Sequence, residues 1–213
     1  MVFATTIPKP RRVQARGEAT RLRILEATLG CILNDGYAQT STVRVCQRSG
    51  TARGSLLHQF PTRADLIAAA VAFLFQQLTA RFVDAFASFE PEAHQDIRRR
   101  VKVAGALLRT AYSDPRLPAV VDIYAAARTD ADLKAALEPV AARHRKMVRK
   151  VARKLFPMAT ASQKVARRLD VVLDALQGLA FRSVVHAEGA AETLAGAQEL
   201  ILEAFSEAIE ESQ

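Results

Sequence analysis

The sequence predicts an all-α protein: an N-terminal three-helix unit containing a helix-turn-helix, then a bundle of about six longer helices. Three observations predict it. Ala, Leu, Arg and Glu dominate, tryptophan is absent and glycine is scarce, all helix-forming choices. Apolar residues recur three to four apart, and no segment keeps the alternation of a strand. Gly36, Gly50, Pro61, Pro91, Pro115 and Pro157 fall between the periodic runs, where they punctuate helices. A chain of 213 residues buries enough surface to fold without disulfides.

From Glu18, the residues Leu22, Leu25, Leu29, Ile32 and Leu33 mark the first amphipathic helix. "NDGY" closes it, with Gly36 suited to a left-handed C-terminal position. Ser41 or Thr40 can cap a second helix, from Thr42 to Ser49, which stops at Gly50. A third starts near Ala52 and ends before Pro61; at about nine residues it would be about 13 Å long. Val45, Leu56 and Phe60, with Leu29 and Leu33, are the predicted core of this unit, and small Cys46 lets the helices approach. Thr62 can cap a long helix reaching Phe89.

Pro91 and Asp114-Pro115 bound the next helix, and Pro118 falls in the first turn of another, where proline is tolerated. Asp130 or Asp132 can cap a helix that Pro157 ends and that Pro139 should kink or restart. Two long amphipathic helices, 162–188 and 190–212, close the chain.

The net charge of +8 is concentrated in front. Residues 1–63 hold ten Lys/Arg against three acids, and residues 64–213 hold twenty against nineteen. Such a concentration marks a polyanion partner. A membrane surface would need an apolar face with aromatic anchors, and residues 1–23 offer only isolated Phe3, Ile7 and Val13. Three regions follow: a basic flexible arm over 1–17, a helix-turn-helix unit over 18–63, and a helical domain over 64–213. The arm carries Lys9, Arg11, Arg12 and Arg16 and is kept extended by Pro8 and Pro10. It is either a free tail or a contact to the minor groove and neighbouring phosphates.

The third helix is short and polar, which suits the DNA major groove, about 12 Å wide. Arg53 can read guanine bidentately, Gln59 can read adenine, and Ser55 can bond a base or a phosphate. Arg44, Arg48 and Arg63 would hold the backbone. His58 can contact DNA or pack against the long helix that follows.

The run "ILEATLGCILNDGYAQTSTVRVCQRSGTARGSLLHQFPTRADLIAAAV" resembles the DNA-binding domain of the TetR family of transcriptional regulators. Gly36-Tyr37, Thr40-Ser41, Gly50, "RGSL" from Arg53 to Leu56, Phe60 and Leu66 stand where that family has them. The resemblance implies a homodimer on double-stranded DNA with a palindromic operator, one recognition helix per subunit in successive major grooves. It implies DNA contacts from Thr42, Val43 and Arg44, and from Arg53, Gly54, Ser55, Leu57, His58 and Gln59. Arg63 stands where the family usually has a phosphate-binding lysine. Leu57 replaces a common tyrosine whose hydroxyl bonds a phosphate, and Thr51 keeps the β-branched shape of valine. The family's C-terminal domain binds a small molecule and dimerises through its last two helices, the role that 162–188 and 190–212 match here.

Within that domain, Tyr112, Tyr124, Arg128, Phe181 and His186 either line a ligand cavity or are plain core. Arg128 is the candidate partner if the ligand is acidic. The basic run around Arg145 to Lys154 is either a solvated face or a second anion site, and Met147, Val148, Val151 and Leu155 form its core side. No catalytic motif, metal-spaced Cys/His set or phosphate-binding glycine loop occurs, so no enzyme, no cofactor and no metal are expected. Cys31 and Cys46 read as thiols in apolar helices. No secretory signal is present and no run approaches the ~18–20 apolar residues of a membrane span, so a cytoplasmic protein is expected.

The reading that unites these features is a repressor released from its operator when a small molecule binds the C-terminal domain. One alternative is a DNA-binding regulator without a ligand of its own. Another is a dimeric helical module that binds nucleic acid or anionic membrane without sequence preference.

Overall fold

Seven helices run from Arg11 to Leu155: α1 Arg11–Gln39, α2 Thr42–Ser49, α3 Arg53–Gln59, α4 Arg63–Ala87, α5 Ile97–Tyr112, α6 Leu117–Ala127 and α7 Ala131–Leu155. The computed structural model describes residues 11–89, 97–156, 167–168 and 170–178, with single positions at 196, 199–200, 203 and 207. Residues 170–178 are helical, and no strand occurs among the described residues. Phe181, His186 and most of the last two predicted helices lie outside the described residues.

α1 begins at Arg11, within the stretch expected to be an extended arm. Its buried face is Ile24, Leu25, Thr28, Leu29 and Ile32. Leu22 and Leu33 lie along one edge of that stripe and stay 47% and 38% exposed, so Leu33 is not in the core as expected. Gly36 has φ 78°, ψ 164°, a conformation that only glycine adopts cheaply, and it breaks the helical geometry there.

Ser41 is the cap of α2, accepting the Arg44 N–H at 3.3 Å. Thr40 is instead buried, and its hydroxyl donates to the Gly36 carbonyl at 2.9 Å. Gly50 closes α2 in the left-handed conformation, with φ 63°. α3 spans 7 residues rather than nine, because Ala52 and Phe60 are its extended caps. α4 starts on a reciprocal capping box: Thr62 Oγ1 accepts the Asp65 N–H at 3.0 Å, and Asp65 Oδ2 accepts the Thr62 N–H at 3.2 Å.

α4 corrects one expectation: its 25 residues are long and apolar enough, by length and composition, to cross a membrane. Here it is the central core helix, burying Leu66, Ile67, Val71, Leu74, Phe75 and Phe86 among its side chains. α1, α5 and α7 pack around it. One apolar cluster runs from Ile24 and Phe60 in the front, through α4, to Ile123 and Val140 of α6 and α7. A second, around Phe86, Val101, Phe156 and Leu176, closes the far end. α7 is a single helix containing Pro139, capped by Asp130, whose Oδ1 accepts the Leu133 N–H at 2.9 Å.

Candidate nucleic-acid interface and bundle cavity

α2 and α3 pack by one side each. Val45 and Leu56 are fully buried beneath them, with Phe60 2% exposed, and Arg21 of α1 lies over the Phe60 ring at 4.5 Å. Everything polar is thereby turned outward. Arg53, Gly54, Ser55, Leu57 and His58 are exposed on α3, and Gln59 is half-buried at its end. Thr42 is half-buried, while Val43 and Arg44 are exposed on the adjoining start of α2. Apolar Val43 and Leu57, 50% and 38% exposed, lie on this surface too, and such groups suit contact with thymine methyls. His58 faces solvent rather than packing against α4.

The three arginines expected to hold a DNA backbone have internal partners. Arg44 Nη1 pairs with Asp35 Oδ2 at 2.9 Å. The Arg48 guanidinium lies across Gly30 of α1, where an added Cβ would stand 2.7 Å from its Nε. Arg63 is the most committed. Its Nε donates to the Thr40 carbonyl at 2.8 Å, Nη2 to the Tyr37 carbonyl at 2.6 Å and Nη1 to the Tyr37 hydroxyl at 2.7 Å. The guanidinium also sits 4.0 Å above the Tyr37 ring. Two N–H groups of the five an arginine carries remain for a phosphate.

The Tyr37 hydroxyl in turn donates to Asp130 Oδ2 at 2.9 Å. Asp130 caps α7, so a hydrogen-bonded chain runs from the start of α4, through the end of α1, to the start of α7. The Leu133 backbone N–H, and then the Tyr37 hydroxyl, hold the Asp130 carboxyl below the usual carboxylate range. Burial, and then the bond to Asp130, push the Tyr37 phenol up.

Two adjoining cavities with shared walls, called the inner and outer lobes, lie between α4, α5, α6, α7 and residues 172–174. The inner lobe holds about 130 Å³, with walls that include Phe82, Val101, Leu108 and Phe156. The outer lobe holds about 560 Å³ and reaches Tyr124, Arg128, Arg145 and Asp174. Phe75, Tyr112, Leu117, His144, Val148 and Leu173 line both. His144 stacks on Phe75, ring centroids 4.0 Å apart at 18°, and burial holds its imidazole below the usual histidine range. Burial, and then the neighbouring Asp174, push the Tyr112 phenol up to about 12. Burial also raises Tyr124. Arg128 is exposed at the rim.

Residues 24–70 match the family model described as bacterial regulatory proteins, tetR family. An uncharacterised HTH-type transcriptional regulator of Mycobacterium tuberculosis is 29% identical over 166 residues, covering 76% of this chain and 83% of that protein. Residues 24–70 are thus a DNA-binding domain of the tetR-family type. Solved structures agree in fold. Regulator SCO7518 of Streptomyces coelicolor A3(2) superposes with a TM-score of 0.65 at 23% identity, over 89% of this chain and 97% of that one. The multidrug binding protein EbrR, complexed with ethidium, gives 0.61 at 19% identity, over 86% and 97%. At such identities, these two show the fold alone.

The helix-turn-helix lies where the sequence places it, with α2 over Thr42–Ser49 and α3 over Arg53–Gln59. Of the predicted cavity residues, Tyr112, Tyr124 and Arg128 do line one space. Sequence reasoning missed His144 and Phe75. Their signal is present, since Val140, His144 and Val148 step by four along one stripe of α7. Met147, expected on that core side, is 46% exposed.

Proposed function

We propose that this regulator is a repressor that binds a two-fold symmetric operator as a homodimer and releases it when a small molecule fills the bundle cavity. The observation that carries the reading is the pairing of an outward polar α3 with a cavity walled by helices tied to the same unit. Arg53, Ser55, His58 and Gln59 are the base-reading side chains in this proposal. Thr42, Val43, Arg44, Gly54, Leu57 and Arg63 surround them as backbone and methyl contacts. The homodimer forms through the last two helices, and the protein works in the cytoplasm.

The coupling runs through α4 and α7. Phe75 of α4 and His144 of α7 stack inside the cavity. The first residue of α4 and the cap of α7 meet at the Tyr37 hydroxyl. A molecule that changes the α4–α7 spacing therefore acts on the joint that sets the angle of α2 and α3. It shifts the equilibrium only by its unequal affinity for the two arrangements. EbrR, a multidrug binding protein of similar fold, was solved with imidazole and with ethidium, which supports a small-molecule ligand for this chain.

The test is selection from random duplexes, sequenced afterwards, and repeated with Arg53→Ala and Gln59→Ala. The proposal expects an enriched palindrome that both substitutions blur. Salt-sensitive binding with no motif would replace it with a general polyanion clamp.

A further inference from the structure

The cavity has a chemistry as well as a volume, and it narrows what can occupy it. Thr79 lines the inner lobe, but its hydroxyl is already spent on the Phe75 carbonyl at 2.8 Å. The inner lobe therefore offers apolar walls and, where it meets the outer lobe, Tyr112 and His144. The outer lobe adds Tyr124. These three side chains make no hydrogen bond among the described residues, yet each sits in a half-buried position. Each can both donate and accept while uncharged.

Charge at the rim is mixed. Arg128 and Arg145 stand there with Asp174, and Asp170 is held by Arg149, whose Nε donates to Oδ1 at 3.0 Å. Asp174 acts on the Tyr112 hydroxyl. An anion seated between the lobes would meet that carboxylate. A cation would meet the field of Arg145, which acts on Tyr124. Among the described residues, the inner lobe has no Asp, Glu, Lys or Arg in its walls, so an ion seated there would lose its hydration with no counter-charge, a large penalty. The stacked Phe75–His144 pair supplies a flat face for a planar ring.

We infer that the cavity takes an uncharged, largely apolar molecule, its body in the inner lobe and one hydrogen-bonding group between Tyr112, Tyr124 and His144. This rests on the reading of the cavity as the effector site, and it sets aside an acidic ligand anchored by Arg128.

Three probes of one shape separate the classes: 2-naphthol, 2-naphthoate and 2-naphthylmethylammonium. Each is titrated calorimetrically into the full-length protein near neutral pH, with a selected duplex in a parallel release assay. The inference expects 2-naphthol to bind at least about tenfold tighter than either ion. Tyr112→Phe, which keeps the ring, should weaken 2-naphthol about tenfold and leave the melting curve in place. Tighter binding of either ion, or no binding of 2-naphthol, overturns the inference. Binding of 2-naphthol without loss of DNA leaves the ligand class standing and removes the effector reading.

Discussion

The front of the molecule and its bundle handle polar groups in opposite ways. At the joints between α1, α2 and α4, the polar groups are held in place. Ser41 and Thr62 cap helices, Arg63 makes three hydrogen bonds, and Tyr37 both accepts and donates. In the bundle, Tyr112, Tyr124 and His144 face a cavity with their hydrogen-bonding atoms unclaimed by the described residues. The difference matches two tasks. A reader of base edges must hold its helices at fixed positions, because misplaced donors lose discrimination. A sensor needs unsatisfied groups and space, because its stabilisation arrives with the ligand.

The strongest way to sharpen this contrast is on the reading face. Arg53 is exposed on α3, so Arg53→Ala should lower specific DNA affinity by about 1–3 kcal/mol with no change in melting temperature. Titration of the selected duplex alongside calorimetric melting reads both. Arg63→Ala should do the reverse first. Losing three bonds from a charged, half-buried donor should destabilise the fold by about 2–3 kcal/mol. A denaturant titration with unchanged midpoint would break the picture of a tied front.

Acidification should act on the bundle. Burial depresses the His144 pKa below 6.5, so the fold favours the neutral ring. Its contribution is complete above about pH 6.5 and is lost as pH falls through the lower folded value. Melting temperature should therefore drop on going from pH 7 to 5, and His144→Phe, which keeps the stack on Phe75, should flatten that drop. An equal drop in both proteins would place the sensitivity elsewhere.

The smallest effect is expected from an exception in the front. Thr51 is 8% exposed, and its hydroxyl is buried with no hydrogen-bond partner. Thr51→Val keeps the shape and removes the orphaned group, so stability should rise by about 1 kcal/mol.

Much of this was legible in the sequence, and what was not has physical reasons. Caps and stops depend on a residue and its immediate neighbours, so Gly50 and Thr62 could be read directly, while Ser41 and Asp130 were each one of two neighbouring candidates, beside Thr40 and Asp132. The exact stripe of α1 could not. Leu22 and Leu33, about three turns apart, share one edge beside the Ile24–Ile32 face, and a period near 3.6 fits both sets. Long-range partners were beyond reach as well. Nothing in the order of residues says that Arg63 folds back onto Tyr37, or that Tyr37 meets Asp130 from 93 positions away. The cavity was visible only in part, because a ligand site draws single residues from several helices. His144 looks like an isolated histidine until α4 brings Phe75 against it.

The central claim is that the state of the cavity reaches the reading helices through the Tyr37 hydroxyl. Val148 lines both lobes, so Val148→Trp fills the space as an occupant would. The most direct measurement is a double-mutant cycle on DNA affinity, built from Val148→Trp, Tyr37→Phe and the pair. The account predicts that Val148→Trp weakens DNA binding in the parent protein but has little effect once Tyr37 lacks its hydroxyl. Strictly additive effects, with all four proteins folded, would contradict it.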